Sequence, residues 1–295
     1  MRQLDKMSSC NIIDSQLAKI LLPERKDESN KGTYGKVLNF AGCKEYIGAA
    51  YLSSVSALRV GAGYVELAAP NCVKDVVASK TPDVVFLDMN SHSYLETLPR
   101  GLELDKYSVV SVGCGLGNNK FTQKFVKKLI DYIKDVNIPT IYDADALNII
   151  AELGITEIGS RSLITPHPGE LARLMGVDVS DIQENRVEFA KKAAEKYNSN
   201  VVLKGHNSIV ACYDGKLFKE ISATNVLAKA GMGDVLTGII SGLVSQGLNL
   251  RQASVLGVYL HAQAGLCGAK YKTNYGLLAS ELIDFIPDGI SSIVH

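Results

Sequence analysis

The sequence predicts an α/β protein built on a central, mostly parallel sheet covered by helices. Short apolar runs alternate with longer runs whose apolar residues recur at helical spacing. Glycines, prolines or acids follow most of the apolar runs, where strand-to-helix turns belong. No Pro-, Gly- or Ser-biased linker divides the chain, and no fixed-period repeat is visible. The expectation is therefore a single domain over residues 1–295, with residues 1–30 as an N-terminal extension.

The elements follow in order. Ile12 to Leu22 is a short apolar patch with helical character, ended by Pro23 and a charged segment. VLNFAG (37–42) reads as a buried strand reaching a glycine turn, 48–63 as a helix and 64–69 as a second strand. DVVFLDM (83–89) and YSVVSVGCGLG (107–117) are further strands, the latter ending in glycines. Phe121 to Lys134 is an amphipathic helix. NIPTIYDADALNII (137–150) and SLITPHPGELARLMG (162–176) each read as strand, polar turn and helix. Ile182 to Tyr197 is one helix, and 200–221 holds two or three strands with a hairpin at Asp214–Gly215. A helix starts at the AGMGD turn, another spans Arg251 to Cys267, and LLASELIDFIPDGI lies near the end.

Composition bounds the function. The chain has 295 residues, 46% of them hydrophobic, and 31 basic residues balance 31 acidic ones. Zero formal charge gives no electrostatic footprint for nucleic acid or an anionic membrane. The six cysteines are scattered without a CxxC pair, which argues against structural zinc, iron–sulfur clusters or a disulfide scaffold. No apolar run approaches the roughly 18 residues of a membrane-spanning helix, and the N-terminus lacks a signal core. A cytoplasmic protein is expected.

Five polar loops, GCKEYIG, GCGLG, DADALN, TPHPGE and LKGHNS, come just after strand-like runs. In a parallel sheet such loops share one edge, where ligands bind. The sharpest candidate is Asp234, which opens a long apolar helix behind Gly231 and Gly233. Free N–H groups at a helix start bind anions, and glycines admit a phosphate close to the backbone. Asp234 alone could merely cap the helix; with those glycines it reads as a group acting on a proton beside a phosphate. Asp143 and Asp145 flank Ala144 and could approach a magnesium-bound phosphate directly or through water, or could serve as turn acids. Asn148 follows three residues later and would face the same cleft. His167, between two prolines, suits a hydrogen bond to substrate. Lys204, at a strand end before Gly205, His206, Asn207 and Ser208, suits phosphate binding. No Walker motif is present. Met232, in the middle of AGMGD, has no evident chemical role.

Jointly, these loops resemble the ADP-dependent NAD(P)H-hydrate dehydratases. The resembling segments include KGTYGKVLNFAG, DADALN, LITPHPGELARLMG, VVLKGHNSIVA, AGMGDVLTGIISGLVSQG and GVYLHAQAG, and with their neighbours they cover most of residues 31–286. The resemblance implies a ribokinase-like three-layer α/β/α fold. It also implies nucleotide-dependent dehydration of NADHX or NADPHX to NADH or NADPH, with release of AMP and phosphate when ADP is the donor; ATP replaces ADP in some relatives. Ala49, Gly115, His167 and Asp234 match hydrate-contacting positions, with Asn148 in support. Gly231, Gly233 and Lys204 to Ser208 match positions around the adenine nucleotide. Magnesium, a homo-oligomer that is often a tetramer, and a separate epimerase as functional partner are further implications. Two other readings stay open: a hydroxymethylpyrimidine-phosphate or thiazole-type kinase with the same Asp234 base, and a non-catalytic nucleotide-binding regulator.

Overall fold

The computed structural model describes residues 10–222 and 224–294. The first nine residues of the expected N-terminal extension lie outside them. The described part opens with β1 (Asn11–Ile13) and α1 (Ser15–Leu21). Then come β2 (Lys36–Phe40), α2 (Ile47–Arg59), β3 (Tyr64–Ala69), α3 (Asn71–Lys80) and β4 (Val85–Asp88). The middle of the chain supplies β5 (Val109–Val112), α4 (Lys120–Val136), β6 (Thr140–Tyr142), α5 (Asp145–Glu152), β7 (Ser162–Ile164) and α6 (Pro168–Met175). It continues with α7 (Val179–Glu184), α8 (Arg186–Tyr197), β8 (Asn200–Leu203), β9 (Ile209–Ala211) and β10 (Leu217–Glu220). Four helices close it: α9 (Met232–Ser245), α10 (Leu250–Gly276), α11 (Ala279–Leu282) and α12 (Ile286–Val294).

The strands form one ten-stranded sheet in the order β1-β10-β9-β8-β7-β6-β5-β2-β3-β4. Every neighbouring pair is parallel except those made by β9, which runs against β8 and β10. The chain leaves β2 toward β3 and β4 on one side, then returns to β5 on the other. That reversal between β2 and β5 is the switch point at which open parallel sheets bind ligands.

Both faces are covered. One core joins the inner residues of α2, α3, α9, α10 and α12, including Val55, Val73, Ile239, Leu256 and Ile293. The other joins those of α4, α5, α6 and α8, including Phe125, Ile149, Leu171 and Ala190. The central strands β5 to β8 are buried along their whole length, which is why they read as continuous apolar runs without alternation.

Several boundaries depart from the sequence expectation. The patch 12–22 is a three-residue strand followed by a helix, because the Asp14 side chain caps Leu17 N–H at 2.8 Å and starts a new element. Residues 179–197 form two helices broken at Asn185 (φ −128°). The helix expected to stop at Cys267 runs on to Gly276, with a kink at Thr273. Among the described residues, no helix is long and apolar enough to cross a membrane.

Helix α9 crosses the sheet at the switch point and packs closely on α2. A Cβ at Gly238 would lie 2.2 Å from the Ser53 carbonyl oxygen, a backbone atom that cannot yield easily. In an exposed helix, Gly→Ala stabilises by about 1 kcal/mol. Here the sign reverses: Gly238→Ala is expected to cost roughly 1–3 kcal/mol through overpacking, read as a lower urea midpoint. An unchanged or raised midpoint would show that α2 and α9 are not so closely held.

Candidate active site at the carboxyl edge of the sheet

The loops after β2, β5, β6, β7 and β8 meet at one edge because those strands are parallel. Two of them join through a buried charge pair. Lys204, at the end of β8, donates from Nζ to Asp143 Oδ1 at 2.6 Å. Asp143, at the end of β6, has a side chain only 1% exposed and Lys204 one 17% exposed. The second oxygen of Asp143 accepts from Thr237 Oγ1 at 2.7 Å, and Cys114 Sγ lies 3.9 Å away. One carboxylate thus ties together the ends of β6 and β8, the turn after β5 and the first turns of α9.

Glu170 is the other acid at this lysine, 3.8 Å from Nζ. Burial pushes its pKa up to about 7, with Lys204 opposing and Asp143 reinforcing. Its carboxylate also accepts from His167 N–H at 2.7 Å. In return, His167 caps α6: its Nδ1 accepts from Gly169 N–H at 3.0 Å and Glu170 N–H at 3.4 Å. Burial, then Lys204 and Arg173, lower the His167 pKa. Its ring is therefore neutral with the proton on Nε2, which lies 3.4 Å from Glu170 Oε1.

The start of α9 faces the same lysine. Gly231 adopts the left-handed conformation (φ 87°) and turns the chain into the helix. Met232 N–H bonds the Lys229 carbonyl at 3.4 Å and Val235 N–H the Gly231 carbonyl at 3.2 Å. Gly233 and Asp234 therefore carry the open N–H groups of the first turn. A Cβ on Gly233 would stand 3.3 Å from Lys204 Nζ, so two backbone donors and an ammonium converge. Burial, then the nearby charge of Asp143, pushes the Asp234 pKa up to about 6, against Cys114 and Lys204. Such a carboxylate remains ionised near neutral pH yet is a better base than a solvated one.

Other expected residues gather here in differing ways. Ala49, half-buried on α2, packs on Gly115: a Cβ on the glycine would lie 2.7 Å from that of Ala49. Gly205, His206, Asn207 and Ser208 form the turn of the β8–β9 hairpin, closed by Ser208 Oγ donating to the Gly205 carbonyl at 3.2 Å. Arg186 steadies that turn by donating to the carbonyls of Leu203 and Lys204 at 3.3 and 3.2 Å. Asn148 uses its carbonyl oxygen to accept from Arg173 at 2.8 Å.

The expected Asp143/Asp145 metal pair does not point to one place. Asp143 accepts from Lys204 and Thr237, while Asp145 accepts from Gly117 N–H at 2.8 Å. Cys114, Asp143 and Asp234 offer donor atoms within 4.8 Å of one another, but magnesium prefers oxygen donors over a thiol. The donor set fits a magnesium ion carried by nucleotide phosphates, with carboxylates reaching it through water, better than a dedicated protein cage.

Glu170, Thr237, Arg173, Arg186 and Cys114 were not singled out from the sequence. Glu170 had a signal, its place three residues after His167 in TPHPGE, which is the capping-box spacing. A separate cavity of about 540 Å³ is bordered by Arg161, Asp214 and Arg251 at the amino ends of the strands. It lies on the edge away from these groups.

A family model described as NAD(P)H-hydrate dehydratase matches residues 37–288. The chain belongs to the NAD(P)H-hydrate dehydratase family. It is 32% identical over 266 residues to the ADP-dependent (S)-NAD(P)H-hydrate dehydratase of Bacillus subtilis, covering 90% of this chain and 92% of that one. A bifunctional NAD(P)H-hydrate repair enzyme of Moorella thermoacetica is 36% identical over 275 residues, 90% of this chain but 51% of that protein. The chain thus spans about half the length of such bifunctional relatives. The crystal structure of the Bacillus subtilis ADP/ATP-dependent dehydratase, co-crystallised with ATP and Mg2+, superposes with a TM-score of 0.83 at 28% identity, covering 97% of this chain and 99% of that one. A ribokinase-like fold follows for this member of the family.

Within this dehydratase fold, Lys204 depends on Asp143 to remain buried and charged. Burial disfavours its ammonium, but Asp143 and Glu170 more than offset that and hold its pKa above the ordinary lysine range. Asp143→Ala should lower stability by roughly 3–5 kcal/mol, the cost of leaving a buried charge unpaired, measured by denaturant unfolding. Adding Lys204→Met should recover most of that loss; no recovery would place the cost elsewhere.

Proposed function

We propose that the chain catalyses nucleotide-dependent dehydration of NADHX and NADPHX, returning NADH and NADPH. The observation that carries this reading is the meeting of a high-pKa carboxylate, Asp234, with two open backbone N–H groups and the Lys204 ammonium. Asp234 takes the proton of the ring hydroxyl, and the hydroxyl oxygen attacks the terminal phosphate of the nucleotide. The phosphoryl bond to the nucleotide breaks, releasing AMP from ADP. The ring carbon–oxygen bond then breaks with loss of inorganic phosphate, and a proton leaves the neighbouring carbon to restore the double bond. Phosphate departs far more readily than hydroxide, so a kinase-type centre serves a dehydration.

The chain's own groups divide these tasks. Gly233 N–H, Asp234 N–H and Lys204 face the charge that builds on the transferred phosphoryl group; a single preorganised donor of this kind is worth roughly 10²–10³ in rate. His167 donates from Nε2 to the hydrate, with Ala49 and Gly115 forming a wall beside it and Asn148 supporting through Arg173. Gly231 and the Lys204–Ser208 hairpin turn border the nucleotide. Magnesium, when bound with the nucleotide, neutralises phosphate charge, with Asp145 and Asp143 acting on it through water. ADP as the preferred donor, a homotetramer, a cytoplasmic setting and a separate epimerase belong to the same reading, supported by family resemblance.

The test incubates purified protein with NADHX, magnesium and ADP or ATP, following NADH absorbance and phosphate release. NADH should form only with nucleotide, and Asp234→Asn should lower kcat by roughly 10²–10⁴-fold, the usual contribution of a positioned base, while nucleotide binding persists. Absence of NADH with either donor, or a stable phosphorylated product without NADH, contradicts the reading. Asp234 must be ionised to accept a proton, so its pKa of about 6 sets a limb. In the free enzyme, kcat/KM should fall as pH drops through about 6 and level off above it. A profile flat down to pH 5 would remove Asp234 from the role.

A further inference from the structure

Strand β2 turns Val37, Asn39 and Ala41 toward α2, and Asn39 is the polar exception in that row. It is 2% exposed, as are Ser53 on α2 and Ser111 on β5, and Ser54 beside them is fully buried. The Asn39 amide is engaged on three sides. Its Nδ2 donates to Ser53 Oγ at 2.8 Å and to Ser54 Oγ at 2.9 Å. Its Oδ1 accepts from Ser111 Oγ at 2.7 Å, and Ser111 is its ladder partner on β5. Ser53 Oγ in turn donates to the Ala49 carbonyl at 2.8 Å. A continuous chain of buried hydrogen bonds thus runs from the first turn of α2, through β2, to β5.

Both ends of that chain lead to walls of the site. Ala49 lies in the first turn of α2, and Gly115 in the turn that β5 enters just after Ser111. That turn is tied to β2 as well: Gly113 N–H bonds the Phe40 carbonyl at 3.1 Å, and Gly42 N–H the Cys114 carbonyl at 2.8 Å. The walls meet closely, since a Cβ on Gly115 would stand 2.7 Å from that of Ala49. A slide or roll of α2 on the sheet would change this spacing. Apolar contacts have no directional preference, whereas hydrogen bonds fix both length and angle. Stability gives no separate reason for the amide, because replacing a satisfied buried network with apolar groups of the same shape is close to neutral.

We propose that Asn39 is a positioning residue for the hydrate. Through Ser53 and Ser111 it sets the distance between the first turn of α2 and the Gly115 turn, and so the shape of the wall against which the hydrated ring lies. The Lys204 and α9 groups that face the nucleotide are held separately, through Asp143. The inference rests on the reading of Ala49 and Gly115 as hydrate contacts, and adds the residues that hold them in place.

The test compares wild type with the double variant Asn39→Leu/Ser111→Ala, which removes the amide together with the hydroxyl that bonds its oxygen. Ile130→Val, a core truncation on the other face of the sheet, controls for lost stability alone. ADP with magnesium probes the nucleotide side by calorimetric titration; NADH, titrated into protein already saturated with magnesium and ADP, probes the hydrate side. The double variant should unfold within about 4 °C of wild type, as a near-neutral apolar replacement does. It should bind NADH roughly ten-fold or more weakly, the scale of effect that a sub-ångström misplacement produces, while ADP affinity stays at the wild-type value. The KM for NADHX should rise in step, and the KM for nucleotide should not. Ser53→Ala cuts only the link to the Ala49 carbonyl and should weaken NADH by a smaller factor, which keeps the test decisive if the double variant does not fold. NADH affinity unchanged in both variants would overturn the inference, as would equal losses for NADH and ADP, or the same NADH loss in Ile130→Val. A wild type that binds ADP but not NADH would overturn the hydrate contacts of Ala49 and Gly115 themselves, and the inference with them.

Discussion

The site depends on one buried ion pair, Lys204 with Asp143. Each group comes from the carboxyl end of a different strand, two places apart in the sheet, with β7 between them. Burying two charges is costly, and only close geometry with further hydrogen bonds repays it. Here the repayment comes from Thr237 on α9 and from Glu170 on α6. The pair therefore holds two loops and two helices in a fixed relation, and the ammonium stays charged beside the open N–H groups of α9. Any anion drawn to that helix start meets a lysine already in place.

Topology explains why this pair can exist. Parallel strands put the ends of β5, β6, β7 and β8 in a row, so residues far apart in sequence (Cys114, Asp143, Glu170 and Lys204) fall within one small volume. Helix α9 returns from the end of the sheet to cross the switch point, bringing Asp234 and Thr237 to that row. The glycine that lets α9 lie against α2 serves the same end. Packing sets the helix path, and polar contacts set its first turn.

Much of this was legible in the sequence, and the limits have physical causes. Strand-loop-helix order gave the parallel sheet, and glycines before an acid at a helix start marked Asp234. A periodicity reading sees one element's face at a time, so it could not show that Asp143 turns its oxygens to Lys204 and Thr237 instead of pairing with Asp145. Nor could it show that Asn148 is engaged by Arg173. Cys114 read as an ordinary buried thiol; only the fold shows it flanked by two carboxylates. Met232 lacked a role because its side chain does no chemistry. It is a core residue that anchors the turn.

The most direct test is a crystal structure with ADP and magnesium bound. The account predicts the terminal phosphate within hydrogen-bonding reach of Gly233 N–H, Asp234 N–H and Lys204 Nζ, with the adenosine toward the 204–208 turn. Lys204 should keep its contact with Asp143. A nucleotide seated instead in the cavity at the amino ends of the strands, or a phosphate out of reach of the α9 first turn, would contradict it.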